Sequence, residues 1–309
     1  MKFSFFFPGQ GSQSVGMMQG FGDLAVIRQT FVEASDILGA DFWRMATEPN
    51  EALNQTTNTQ PLMLVAGVAT WRAWQAQGGA QPSVMAGHSL GEYTALVATN
   101  ALAFKDALPL VRYRAEVMQG AVAEGVGAMA AILGLDDEAV RAVCSEVAQG
   151  QVLEAVNLNA PGQVVIAGHK AAVERGMEAA KAKGAKRVLL LPVSVPSHCA
   201  LMMLAAEELR GCLKDVTLHD CQVPVLHNAD VAAHSDSEKI KDALVRQLYS
   251  PVRWVETVRA ISAQGINHAA ECGPGRVLAG LSKRIVAEMS CIALTSNDAL
   301  TEAQTQFKA

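Results

Sequence analysis

Residues 84–97 read Val84-Met85-Ala86-Gly87-His88-Ser89-Leu90-Gly91-Glu92-Tyr93-Thr94-Ala95-Leu96-Val97. An apolar run of strand character meets Gly87-His88-Ser89-Leu90-Gly91, and a run of helical character leaves it. Strand, GxSxG and helix in that order form the pattern of a nucleophile elbow. The tight turn holds a serine in a strained backbone conformation with its hydroxyl facing outward. The two glycines let neighbouring backbone approach closely, and the first helical turn aims free N–H groups at whatever the serine attacks. Ser89 is therefore the candidate nucleophile.

Outward from the elbow, strands and helices alternate. Strands are expected at 2–7 and 83–86, and helices at 27–38, 61–77, 90–99 and 107–122. A Gly-rich loop, Pro8-Gly9-Gln10-Gly11-Ser12-Gln13, follows the first strand. Such alternation implies a parallel sheet covered on both faces. From 125 to 196 the rhythm changes to strand 128–133, helix 137–148 with Asp136 or Asp137 as cap, strands 152–157 and 164–167 around the turn Asn159-Ala160-Pro161-Gly162, helix 170–183 and strand 186–193. The order βαββαβ is that of a ferredoxin-like unit. The fold class expected is α/β, a hydrolase-like parallel-sheet core with an inserted ferredoxin-like subdomain. The large subdomain takes residues 1–124 and 197–309 and the small one 125–196, with a cleft between them. After the insertion come helix 199–213, strand 223–228, helices 237–248 and 252–264, strand 268–272, the turn Gly273-Pro274-Gly275 and a helix ending at Val286.

Composition narrows the function. The chain has 309 residues, 50% hydrophobic and 18% charged, with net charge −5. With no dense Lys/Arg run, nucleic acid is not an expected partner. The apolar stretches are too short and too interrupted for a bilayer span, and the N-terminus lacks the features of a secretion signal. The six cysteines are scattered without a CxxC pair, which argues against a zinc site or a disulfide framework and fits a cytoplasmic location.

A serine nucleophile needs a base, usually histidine. Seven are available. His88 adjoins Ser89 but points away from it on an elbow. His169, His219 and His234 lie in polar loop or edge contexts that imply solvation, while His227 and His268 sit on strands. His198 follows Val195-Pro196-Ser197 where the chain re-enters the large subdomain, on the rim of the expected cleft. Sequence alone leaves the choice open.

Five stretches then occur in order: Phe7-Pro8-Gly9-Gln10-Gly11-Ser12-Gln13, Gly87-His88-Ser89-Leu90-Gly91-Glu92-Tyr93, Asn159-Ala160-Pro161-Gly162-Gln163, Val195-Pro196-Ser197-His198 and Gly273-Pro274-Gly275. Together they resemble the malonyl-CoA:acyl-carrier-protein transacylase family, which supplies malonyl units to bacterial fatty-acid synthesis. The resemblance weakens only after about Ser290. It implies that Ser89 becomes a malonyl-serine, that His198 is its base in a Ser–His dyad, and that a carbonyl at the position of Gln247 orients the imidazole. It further implies an oxyanion hole from the backbone N–H groups of Gln10 and Leu90, each donor worth about 3 kcal/mol. Arg114 aligns with the family's carboxylate-binding arginine. A guanidinium fork matches both carboxylate oxygens, and an acetyl group is expected to leave it buried and unpaired.

The resemblance implies malonyl-CoA and acyl carrier protein as partners, no metal or other cofactor, and a monomer. An acidic carrier calls for a basic dock, for which Lys181, Lys183, Lys186, Arg187, Lys283 and Arg284 are candidates. The tetrapeptide ending at His198 is of the fatty-acid-synthesis form. Supply of a polyketide pathway, a serine hydrolase releasing free malonate, and a non-catalytic carrier-binding module are the competing readings.

Overall fold

The computed structural model describes residues 1–193 and 195–308. Among them lie nine strands: β1 (Ser4–Phe7), β2 (Val84–Gly87), β3 (Gly127–Leu133), β4 (Leu153–Ala160), β5 (Gln163–His169), β6 (Arg187–Leu190), β7 (Val225–Leu226), β8 (His268–Glu271) and β9 (Ser290–Ala293). They form two sheets, a five-stranded one ordered β7-β2-β1-β8-β9 and a four-stranded one ordered β4-β5-β3-β6.

All pairings in the larger sheet are parallel. Its central strand β1 is buried throughout, as a strand covered on both faces must be. Period-two alternation splits its aromatics between two cores. Phe5 and Phe7 enter the core under helix Thr56–Ala76, where Phe5 meets Trp71 and Trp74 at 5.4 and 5.2 Å between ring centroids. Phe6 faces the other way onto Trp254 at 5.3 Å. Each buried phenylalanine contributes about 1.5–3 kcal/mol. Helix Thr56–Ala76 is buried along most of its length and runs through the interior, packed against helix Phe104–Gly120.

The smaller sheet is antiparallel at every pairing. Helices Asp137–Val147 and Lys170–Ala182 cover one face, and the Asp136 side chain caps the first by accepting from the Ala139 amide. This is the βαββαβ arrangement expected from the sequence. The opposite face carries Met129, Val156 and Val165 against Cys199. At the edge, β4 also meets the larger unit through a parallel bridge between Asn157 and Val252.

The structure differs from the expected elements in places. The strand expected at 223–228 narrows to Val225–Leu226, and that at 186–193 ends at Leu190. Asn159 and Ala160, expected in a turn, are still strand, and the reversal falls to Pro161-Gly162. Helix Phe42–Thr47, strand β9 and helix Asn297–Lys308 were not anticipated. Tertiary contact fixes the last of these: Phe307 stacks on Phe3 at 4.3 Å. No helix among the described residues is long and apolar enough to cross a membrane.

Candidate active site

The elbow is shaped by steric necessity. A Cβ on Gly87 would lie 1.9 Å from the Gly91 carbonyl carbon, and one on Gly91 would lie 2.0 Å from the Phe7 carbonyl oxygen. Any larger residue would force the strand–helix junction apart. Between them Ser89 adopts φ 51°, a left-handed conformation that costs a non-glycine residue about 1–3 kcal/mol and persists only where the surroundings impose it. Asn228, just beyond β7, imposes it here. Its Oδ1 accepts from the Ser89 amide at 2.7 Å, and its Nδ2 donates to the Gly87 carbonyl at 2.6 Å.

His198 reaches Ser89 from the turn that follows the small unit, where its amide donates to the Leu248 carbonyl at 2.9 Å. The serine Oγ and the His198 Nε2 are 2.8 Å apart, and Nδ1 lies 2.8 Å from the backbone carbonyl of Gln247. A carbonyl only accepts, so Nδ1 carries the proton and Nε2 is left to accept from the serine hydroxyl. His198 is buried and also has positive φ, 67°. Burial, and then the nearby Arg114 cation, push its pKa down to about 3. The imidazole is neutral near pH 7, the form a general base requires.

Arg114 is 1% exposed. Its Nη1 donates to Gln60 Oε1 at 2.5 Å, and its Nη2 to Gln247 Oε1 at 2.9 Å and to Ser89 Oγ at 3.3 Å. Burial lowers its pKa. The expectation that an acetyl group leaves this guanidinium unpaired needs correcting, because two glutamine carbonyls already accept from it. What they cannot supply is negative charge, and among the described residues Nε has no partner. The site thus offers an unneutralised buried cation, the feature that would favour a carboxylate over a neutral group. Arg112 faces elsewhere, donating to the Leu38 carbonyl at 3.0 Å.

Because a guanidinium only donates, Gln247 must turn Oε1 towards Arg114. Its Nε2 then donates to the Ser89 carbonyl at 3.0 Å and to Glu92 Oε2 at 2.9 Å. Glu92 is fully buried and also accepts from the Asn228 amide at 2.8 Å and binds His227 Nδ1 at 2.7 Å.

Gln10, Ser89, Leu90, Arg114 and His198 line one cavity of about 310 Å³, with Met129 on the side of the small sheet. Gln247 stands behind His198. Among the described residues the amides of Gln10 and Leu90 donate to no backbone carbonyl. His88 points away from Ser89, as expected on an elbow: Nε2 pairs with Asn159 Oδ1 at 2.8 Å, and the ring packs near Trp254. His219 is exposed, but His234 is not simply solvated. It pairs with Asp230 at 3.0 Å and stacks on His227.

Sequence reasoning missed Asn228, Glu92 and Gln60. Glu92 carried a signal, a carboxylate one residue past the GxSxG in an otherwise apolar helix, where only a paired charge is tolerated. Asn228 had a weaker one, its place at the end of a strand predicted to join the parallel sheet, where such sheets gather their sites.

The chain matches the acyl transferase domain family over residues 4–297. It is 54% identical over 307 residues to a malonyl CoA-acyl carrier protein transacylase of Salmonella typhimurium strain LT2, covering 99% of both chains. It also resembles the crystal structure of an acyl-carrier-protein S-malonyltransferase from Burkholderia pseudomallei 1710b, with TM-score 0.97, 58% identity, and coverage of 99% of this chain and 100% of that one. A malonyl-transacylase solved in complex with a type II PKS acyl-carrier protein superimposes with TM-score 0.97 at 52% identity, covering 99% of this chain and 100% of that one. With the fold, the elbow and near-complete coverage in agreement, the chain belongs to the malonyl CoA-acyl carrier protein transacylase family of acyltransferases.

Proposed function

We infer that this enzyme moves a malonyl group from malonyl-CoA to the phosphopantetheine thiol of acyl carrier protein through a malonyl-ester on Ser89. The observation that carries the reading is the meeting of three groups. The Ser89 hydroxyl lies 2.8 Å from a neutral imidazole and 3.3 Å from a buried guanidinium.

His198 Nε2 takes the hydroxyl proton as Oγ attacks the thioester carbonyl. The tetrahedral oxyanion accepts from the amides of Leu90 and Gln10. The C–S bond breaks, Nε2 returns its proton to the departing CoA thiolate, and the serine ester remains. The carrier thiol then gives its proton to His198 and attacks the ester by the reverse path. Throughout, Arg114 holds the distal carboxylate, and the Gln247 carbonyl keeps the imidazole in one tautomer. The protein's own groups handle each proton and charge in this scheme, so it calls for no metal or other cofactor.

Carrier docking is assigned to Lys186, Arg187, Lys283 and Arg284. Lys181 and Lys183 are weaker candidates, because Glu178 and Glu146 pair with them at 2.7 and 2.6 Å.

Intact-mass measurement tests the reading. Protein mixed with malonyl-CoA should gain one malonyl group on Ser89 and lose it to added carrier, while Ser89→Ala gains nothing. Release of free malonate at an equal rate without carrier would make the protein a hydrolase instead.

A further inference from the structure

We propose that Thr56 and Gln60 are positioning residues that join the carboxylate grip of Arg114 to the oxyanion loop carrying Gln10. The inference rests on the roles given above to Arg114 and Gln10, and extends them to two residues that contact neither reacting atom.

The chain of contacts is continuous. Arg114 Nη1 donates to Gln60 Oε1 at 2.5 Å, Gln60 Nε2 donates to Thr56 Oγ1 at 3.1 Å, and Thr56 Oγ1 donates to Gln10 Oε1 at 3.0 Å. Its direction is forced. The guanidinium has no acceptor, so Gln60 must offer its carbonyl to Arg114 and its amide to Thr56. Having accepted there, the Thr56 hydroxyl spends its single hydrogen on Gln10. Every donor thus points from the cation to the loop, the arrangement in which hydrogen bonds polarise one another.

The scaffold suits the role. Thr56 and Gln60 stand four residues apart on helix Thr56–Ala76, and so share a face. Gln60 is 2% exposed, and the same Nε2 also donates to Met118 Sδ at 3.9 Å. The Thr56 hydroxyl, at the helix start, makes no side-chain cap of its own. The loop is tied to the same segment a second time: Gln13 Oε1 accepts from the Gly11 amide at 2.7 Å, and its Nε2 donates to Asn54 Oδ1 at 3.2 Å. Gly11 has φ 103°, a conformation open to glycine, so the loop depends on these tethers for its shape. A carboxylate seated on Arg114 then bears on the placement of the Gln10 amide, and correct substrate favours acylation as well as binding.

The test is single-turnover acylation of Ser89, followed by intact mass across malonyl-CoA concentrations. Thr56→Val keeps the shape and removes the hydroxyl. It should lower the maximal rate about tenfold, the weight of one hydrogen bond, with the half-saturating concentration unchanged. Thr56→Ser should restore the rate. In an Arg114→Ala background, where the chain has no head, Thr56→Val should cost under about twofold. Gln60→Met breaks the chain at its middle and gives a second cycle if Arg114→Ala folds poorly. The same tenfold loss in every background, a change in half-saturation alone, or no loss would each overturn the relay. Labelling of wild-type Ser89 with additive losses would remove the relay and leave the malonyl-transfer reading intact. Failure to label wild-type Ser89 would remove the transfer reading itself.

Discussion

Gln247 holds His198 with its backbone and Arg114 with its side chain. The carbonyl oxygen lies 2.8 Å from His198 Nδ1, while Oε1 accepts from Arg114 Nη2 at 2.9 Å. One residue therefore sets the tautomer of the base and the bearing of the cation. Substituting its side chain leaves the dyad's acceptor in place, so base orientation and substrate grip are separable by mutation.

Arg114→Ala should lower the malonyl acylation rate by about 100-fold, the scale of a lost charge-assisted contact. Relative preference should shift towards acetyl-CoA, which needs no cation. Competition between the two thioesters, read by intact mass, measures the ratio. An unchanged ratio would show that Arg114 does not hold the carboxylate.

The depressed pKa of His198 makes two pH predictions. An unperturbed imidazole titrates near 6.5, and this one near 3. Above pH 6.5 folded and unfolded chains both carry it neutral. Between 6.5 and about 3 the unfolded chain binds a proton that the folded one declines, so His198 lowers stability as pH falls through that window. The plateau of kcat/KM should accordingly persist below pH 5. Arg114→Ala removes a like charge and should move the acid limb upward. A wild-type limb centred on 6.5 would contradict the assignment.

Glu271 contributes the opposite slope. Burial raises its carboxyl to about 7, against the hydrogen bonds it accepts from the start of helix Val277–Ile285. Its contribution is complete below pH 4.5 and is lost as pH rises through 7. Glu271→Gln, which cannot ionise, should shrink the fall in Tm between pH 5 and pH 8. An undiminished fall would place its source elsewhere.

Ser89 should invert the ordinary cost of glycine. At φ 51° an alanine retains the steric strain that a glycine does not have. Both Ser89→Gly and Ser89→Ala should be inactive, with the glycine variant melting at or above the alanine variant. A Tm for Ser89→Gly several degrees below that of Ser89→Ala would mean that the elbow is unstrained.

Asn228→Asp should cost about 2 kcal/mol of stability and most of the acylation rate. The acid keeps an acceptor for the Ser89 amide but sets a second oxygen against the Gly87 carbonyl, 2.6 Å from the present Nδ2. Urea unfolding and single-turnover acylation measure the two effects. Normal values in both would show that the elbow holds its shape without this clamp.

The sequence by itself determined what depends on short-range order. The apolar run Phe5-Phe6-Phe7, the paired Gly87 and Gly91, and the βαββαβ rhythm are local patterns, and local sterics and periodicity convert them into a strand, an elbow and a sheet. Five motifs in register added the family and proposed the site residues. Tertiary structure alone decided who meets whom. Ser89 finds His198 across 109 positions and Gln247 across 158, and burial at that meeting point sets the imidazole's charge. Gln60, Glu92 and Asn228 look like ordinary polar side chains when read in line. Their parts come from long-range packing: Gln60 accepts from the buried Arg114, Glu92 accepts from Gln247 and the Asn228 amide, and Asn228 clamps the elbow at Ser89 and Gly87.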